Sequence, residues 1–297
     1  MSLPVAFVSV VLIWSTTPLA IKWSAAGAGF SFAVFSRMVI GALLCGILLA
    51  ALRVRVPLHR KARLSYLASG LSMFGAMMLT YWSAQYISSG MISVLFGLSP
   101  LLTSLGAVIW LKEEAMTPNK LIGMALGLLG LLLVFRGGLS LGEGAGMGLL
   151  ALLLAVALQS LGLVWLKRIG DDSPPLATTF GTLIVALPLF AAVWWFLDGR
   201  WPQVLPEHAL AATLYLATFG SVLGFMLYYY MIKHMEAGKI ALITLITPVL
   251  ALLLGHGLNH EAVLPQVWYG TASILLGLGI HRWGESWLTA LPFGKRD

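Results

Sequence analysis

The chain has 297 residues, of which 59% are hydrophobic and only 10% charged, with a mean hydropathy of +0.93. A soluble domain averages about 25% charged residues, so this composition excludes a water-soluble globular protein and makes lipid the solvent. The net charge of +7 comes without a basic block interleaved with aromatics on a polar segment, and this argues against nucleic acid as a partner. Cys45 is the single cysteine and rules out an intramolecular disulfide. Met1 leads straight into an apolar run that continues past Lys22, so no removable signal peptide is expected.

Ten apolar runs follow in order: 3–22, 30–52, 64–86, 90–111, 119–136, 147–167, 177–197, 209–232, 238–257 and 265–283. Each is long enough to cross a hydrocarbon core of about 30 Å, and continuous rather than alternating apolarity favours helices over a barrel. The first run carries Trp14, Thr17 and Pro18, and the second holds Arg37 inside the span. In the third, Phe74, Met77, Met78, Tyr81 and Gln85 share one helical face. The fourth contains Ser99, Pro100 and Thr103, and the fifth is paced by Gly123, Gly127 and Gly130. The sixth brings Gln159 and Trp165, the eighth Tyr229 and Tyr230, and the ninth Thr244, Thr247 and Pro248. Gly270, Gly277 and Gly279 pace the tenth as glycines pace the fifth, and both sets are expected to let helices approach closely.

The second half echoes the first. Tyr81-Trp82 returns 148 residues later as Tyr229-Tyr230, Gly90 as Gly238, Pro100 as Pro248 and Glu113 as Glu261. Pro118, Gly123 and Gly130 return 147 residues later as Pro265, Gly270 and Gly277. With the N-terminus inside, fourteen Lys and Arg fall in cytoplasmic loops and tails, against Lys22, Arg136 and Arg200 outside. Five spans per half then invert the second half. The expected organisation is a first repeat over 1–137, a Gly-rich connector over 138–146, a second repeat over 147–285 and a cytoplasmic tail over 286–297. Such inverted repeats suggest a transporter with its substrate site between the halves.

Trp14-Ser-Thr-Thr-Pro-Leu-Ala-Ile-Lys22 resembles the opening signature of the EamA family, within the drug/metabolite transporter superfamily. Tyr81 to Ala84, Gly90, Leu98-Ser99-Pro100, the Leu111-Lys112-Glu113 turn and the Gly-rich fifth helix are similar to that family too. The resemblance covers nearly the whole chain, although the start of the second unit (Gln159-Ser160 to Lys167) diverges. It extends to the ten-helix amino-acid exporters of the YddG type. It implies a basket of helices around a central cavity, and with the apolar runs and the Lys/Arg bias the expectation is an all-α integral membrane fold of ten helices in a bacterial inner membrane, both termini cytoplasmic. Helices 1, 3, 4, 6, 8 and 9 would line the cavity, and helices 5 and 10 would act mainly as outer scaffold. Export as the direction comes from the resemblance alone.

Polar and aromatic side chains deep in spans should face inward, because a polar group facing lipid is costly. The expected substrate-binding set is therefore Trp14, Thr17, Met78, Tyr81, Gln85, Ser99, Gln159, Trp165, Tyr229, Tyr230, Thr244 and Thr247. Trp194, Trp195, Trp201, Trp268, Trp283 and Trp287 are assigned mostly to the interfacial belt. A proline inside a helix frees the carbonyl four residues earlier, so Pro18, Pro100 and Pro248 are expected to kink their helices, as gates or substrate seats or as packing kinks. All eleven acids map to loops or span ends, which disfavours exchange of a proton for a cation at a midspan carboxylate. A phosphate-ester carrier would need several cavity cations, whereas only Arg37 is clearly within a span, and it is expected to anchor structure.

A neutral or zwitterionic substrate fits this pattern, an amino acid among them, carried by alternating access. The alternative is a proton-coupled exporter of drugs or other small organic cations. Glu113 and Glu261 are expected to make capping or loop hydrogen bonds. His256 and His260 beside Glu261 stand near a helix end without a third ligand, so neither a metal nor a cofactor is expected. No catalytic motif points to an enzyme. The oligomeric state stays open and a monomer is compatible.

Overall fold

The computed structural model describes residues 2–111, 117–139, 142–235 and 237–290. Among them the chain is helical, with no strand. The helices are α1 (Leu3–Ala25), α2 (Phe30–Ala51), α3 (Arg60–Ser83), α4 (Ser89–Leu111), α5 (Pro118–Leu139), α6 (Ala145–Ile169), α7 (Pro175–Leu197), α8 (207–234), α9 (Ala237–Asn259) and α10 (Pro265–Ala290). Six of them, α1, α2, α4, α5, α6 and α7, are long and apolar enough to cross a membrane. Two helices are irregular. The first, α4, breaks at Gly97-Leu98 and ends in a π-turn over Ala107–Leu111. In α8, a π-helical stretch over Leu216–Leu223 separates Glu207–Tyr215 from Gly224–His234.

Pro100 differs from expectation. It stands in the first turn of the restarted segment Ser99–Gly106. Its missing N–H costs little there, because the first N–H groups of a helix have no intrahelical acceptor. Pro248 does lie inside an unbroken α9 and Pro18 inside α1. The two repeat-related prolines thus do different jobs. Their sites nevertheless meet: a Cβ at Gly97 would lie 3.7 Å from the Pro248 ring.

Glycine sets a close backbone-to-backbone crossing of α5 and α10. A Cβ on Gly123 would lie 2.5 Å from the Gly277 carbonyl oxygen, and one on Gly130 would lie 2.5 Å from that of Gly270. The reciprocal approaches are 2.5 Å from Gly277 to Gly123 and 2.7 Å from Gly270 to Gly130. The pairing of 123 with 277 and 130 with 270 makes α5 and α10 antiparallel. Ser273 Oγ adds a hydrogen bond of 2.8 Å to the Leu126 carbonyl between them. These two helices pack chiefly on each other, and they add Val134, Val267, Ile274 and Leu278 to a core built mostly by the other helices.

The packing repeats itself. When each helix is replaced by the one five places on, α1 on α8 becomes α6 on α3, α2 on α8 becomes α7 on α3, and α1 on α9 becomes α6 on α4. The pairs α2–α7, α4–α9 and α5–α10 map onto themselves. Trp194 departs from its expected place in the interfacial belt. It is buried, stacked on Phe35 with ring centroids 5.1 Å apart, because α2 and α7 close over it, while Trp195 and Trp201 remain exposed.

Candidate functional site

A buried charge marks the centre. Arg37 on α2 is 4% exposed, Ser221 on α8 is 2% exposed and Tyr81 on α3 is fully buried. Arg37 Nε donates to Ser221 Oγ at 3.1 Å, and Nη1 donates to the Tyr81 hydroxyl at 3.4 Å. Nη2 faces Gly220, where a Cβ would lie 3.4 Å away. Among the described residues no carboxylate pairs with Arg37. The π-helical stretch of α8 carries both Gly220 and Ser221, and such stretches recur at functional sites.

The wall opposite α8 is α1. Thr17 Oγ1 would be 3.8 Å from a Cβ on Gly220, and Trp14 Nε1 would be 3.3 Å from one on Gly224. Thr17 Oγ1 is already bonded to the Ile13 carbonyl at 2.7 Å, one turn back. Thr16 shares a 2.6 Å hydrogen bond with the Tyr215 hydroxyl, tying α1 to α8 again.

A second junction lies where α4 breaks. Ser99 Oγ is 3.1 Å from Ser160 Oγ, and Ser160 also donates to the Ser99 carbonyl at 3.3 Å. Ser160 thus supplies a donor at the point where the α4 ladder is interrupted. Thr247 and Pro248 are buried on α9. Thr244, Met78 and Gln159 are half-buried, and Met78 packs against the main core.

A third cluster closes one end of the bundle. Glu261, after α9, accepts from Ser89 N and from Ser89 Oγ, both at 2.8 Å, and so caps the start of α4. Its other oxygen accepts from Asn259 Nδ2 at 2.9 Å and lies 3.5 Å from Lys22 Nζ. Lys22 also donates to the Ile87 carbonyl at 2.9 Å, and Trp23 Nε1 donates to Asn259 Oδ1 at 3.0 Å. The expected capping role of Glu261 therefore spans the two halves of the chain. His256 Nδ1 is 3.0 Å from the Glu261 carbonyl oxygen.

The expected binding residues are only partly gathered. Trp14, Thr17 and Tyr81 converge near Arg37. Gln85 is instead exposed and lines a pocket of ≈240 Å³ with Lys22, Ala25, Ala26 and Ala84. Trp165 is 54% exposed and borders an open depression of ≈380 Å³ with Arg168 and Ile169. No described contact joins Gln85 or Trp165 to Tyr81. Tyr230 is half-buried, with its ring 4.5 Å from that of His234. The Tyr229 side chain and Glu113 lie outside the described residues. Ser221 and Gly220 were missed from the sequence, whereas Arg37 announced itself as a lone cation within an apolar run.

The EamA-like transporter family model matches the chain twice, over residues 2–136 and 146–281. The chain belongs to the EamA-like transporter family. Membership makes it a membrane transporter rather than an enzyme. Among its relatives, the uncharacterized inner membrane transporter YedA of Escherichia coli (strain K12) is 25% identical over 97% of this chain and 92% of its own length. The uncharacterized transporter YyaM of Bacillus subtilis (strain 168) is 28% identical over 74% of this chain and 73% of its own. Protein PagO of Salmonella typhimurium is 25% identical over 89% and 88%. A solved crystal structure matches this EamA-like fold with a TM-score of 0.65 at 19% identity, covering 95% of this chain and 97% of the other.

Proposed function

We propose that this EamA-like transporter exports neutral or zwitterionic amino acids, or related small metabolites, across a bacterial inner membrane by alternating access. Its frame is ten helices in two five-helix repeats, 1–137 and 147–285, of opposite orientation. The observation that carries the reading is the antiparallel pairing of α5 with α10 through Gly123–Gly277 and Gly130–Gly270. Equivalent helices that pack antiparallel are related by an axis lying across them, the arrangement of inverted repeats. The exchangeable helix contacts support the same axis, and the relative named as an inner membrane transporter supports the location.

With both termini cytoplasmic, the Lys22–Glu261–Ser89 cluster lies at the outer end. It holds α1 and α4 of one repeat to α9 of the other and closes that end. Rocking of the repeats would break it and expose the centre to the outside. Trp14, Thr17, Met78, Tyr81 and Ser99 of the first repeat and Gln159, Thr244 and Thr247 of the second would form the path walls. Pro18, Pro100 and Pro248 would let α1, α4 and α9 flex there.

The second reading is proton-coupled export of drugs or other small organic cations, for which Glu261 is a 9% exposed carboxylate at the junction of the two repeats. Counterflow of radiolabelled amino acids in proteoliposomes, with and without a proton gradient, separates the two. Uptake across part of the panel is expected. Silence across the whole amino-acid panel sinks the main reading, and gradient-dependent uptake of organic cations selects the second.

A further inference from the structure

Arg37 has more charge than its packing needs. Two of the five N–H donors of its guanidinium are used among the described residues, both on neutral hydroxyls. A buried ion without a counterion carries a desolvation penalty that two hydroxyls offset only in part. The counterpart crossing shows that the frame does not require the charge. Where α7 crosses α3, Val185 packs on Gly70 and Tyr66 on Gly181, and α7 contains no Lys, Arg, Asp or Glu. A charge placed on one side only of a pseudo-symmetric frame serves something the frame does not contain.

We propose that Arg37 is the carboxylate-recognition residue of the transport site, its guanidinium taking the carboxylate of the substrate. The inference rests on the transporter reading above and names its substrate class. A planar guanidinium matches a carboxylate with two parallel hydrogen bonds, and a monoanion neutralises a single cation. No second Lys or Arg joins Arg37 in a described contact, so a phosphate dianion is poorly matched. The Nη2 edge faces Gly220, and the Thr17 hydroxyl and the Trp14 indole nitrogen flank α8 within one turn of it, so a hydroxyl and an aromatic ring stand beside the anion site. The bond from Nε to Ser221 also crosses from the first repeat to the second. Ser221 therefore holds Nε while the site is closed, and a substrate carboxylate takes its place when the repeats separate, with Tyr81 of the same repeat still steadying Nη1.

The test is counterflow in proteoliposomes with a panel of amino acids, their decarboxylated amines and simple monocarboxylates such as lactate and benzoate. Wild type should prefer each acid over its amine on the order of 100-fold. Arg37→Gln should bring that preference within about 3-fold, and Arg37→Lys should retain part of it, because a point charge attracts the anion without the paired geometry. Unchanged preference in Arg37→Gln, or wild-type transport confined to amines and uncharged solutes, overturns the proposal. Wild-type transport of monocarboxylates but of no amino acid overturns the amino-acid reading alone and leaves Arg37 in place.

Should Arg37→Gln fail to fold, Ser221→Ala decides. It frees Nε, so affinity for the acid should rise about 3-fold while affinity for the amine stays level. Equal loss for both would mean that Arg37 only ties the repeats together.

Discussion

Lys22 Nζ lies 3.5 Å from Glu261 Oε1, so one ion pair joins the end of α1 to the loop after α9. The pair is more than a surface contact. Glu261 also accepts two hydrogen bonds from Ser89 and one from Asn259, and Lys22 also donates to Ile87. Three helices of different repeats thus meet on one carboxylate.

Glu261→Gln should loosen that end. It keeps the volume but removes the charge that two Ser89 donors and Lys22 share, at a cost of about 1–3 kcal/mol. The closed end should open more often. A membrane-impermeant maleimide should label Ser88→Cys several-fold faster in the Glu261→Gln background. Equal labelling rates would show that this cluster does not hold the end shut.

Gly123→Ala and Gly130→Ala should each destabilise the protein by about 1–3 kcal/mol, because the new methyl meets a backbone carbonyl that cannot step aside. The midpoint of thermal unfolding in detergent should fall, while transport per folded molecule stays unchanged. A Gly257→Ala control, where nothing lies within 4 Å, should leave the midpoint within error.

Tyr81 and Trp165 call for different experiments. Tyr81 is fully buried, so Tyr81→Ala leaves a cavity and should cost about 3–5 kcal/mol, confounding any transport readout. Tyr81→Phe keeps the ring, removes the bond to Arg37 and should cost about 1 kcal/mol. Trp165→Ala, at a 54% exposed site, should stay within about 0.5 kcal/mol of wild type. Denaturation midpoints measured beside counterflow rates check all three.

The repeat-related prolines should respond in opposite ways. Pro248→Ala restores a backbone donor inside α9 and should raise the unfolding midpoint while slowing counterflow, since a stiffer helix resists rocking. Pro100→Ala acts at the start of a helical segment, where no ladder bond is restored, and should change the midpoint little. Equal responses would mean that the break in α4 does not relieve Pro100.

Much of the frame was legible because it is written in composition and period. The apolar runs are helical among the described residues, and six of those helices are long and apolar enough to cross a membrane, since apolar length is a local property that needs no partner. The glycines of the fifth and tenth runs were read as close-approach surfaces, and their spacing was enough, because a helix face is set by sequence separation alone. The site was legible only in part. Trp14, Thr17 and Tyr81 stand around the α2–α8 crossing at Arg37, whereas Gln85 and Trp165, expected in the same set by the same polarity argument, face open depressions. Polarity says that a side chain avoids lipid but not which polar space it enters.

Sequence alone determined the solvent, the helices, the duplication and the lone cation in a span, all consequences of local chemistry or of self-similarity. Only the tertiary structure decided that Pro100 begins a segment while Pro248 interrupts a helix, because a proline's effect depends on where the neighbouring hydrogen bonds fall. It also brought Glu261 to Ser89 across 172 positions and placed Ser221, rather than an acid, against Arg37. Long-range pairing is set by how the helices cross, and no local pattern in either partner records it.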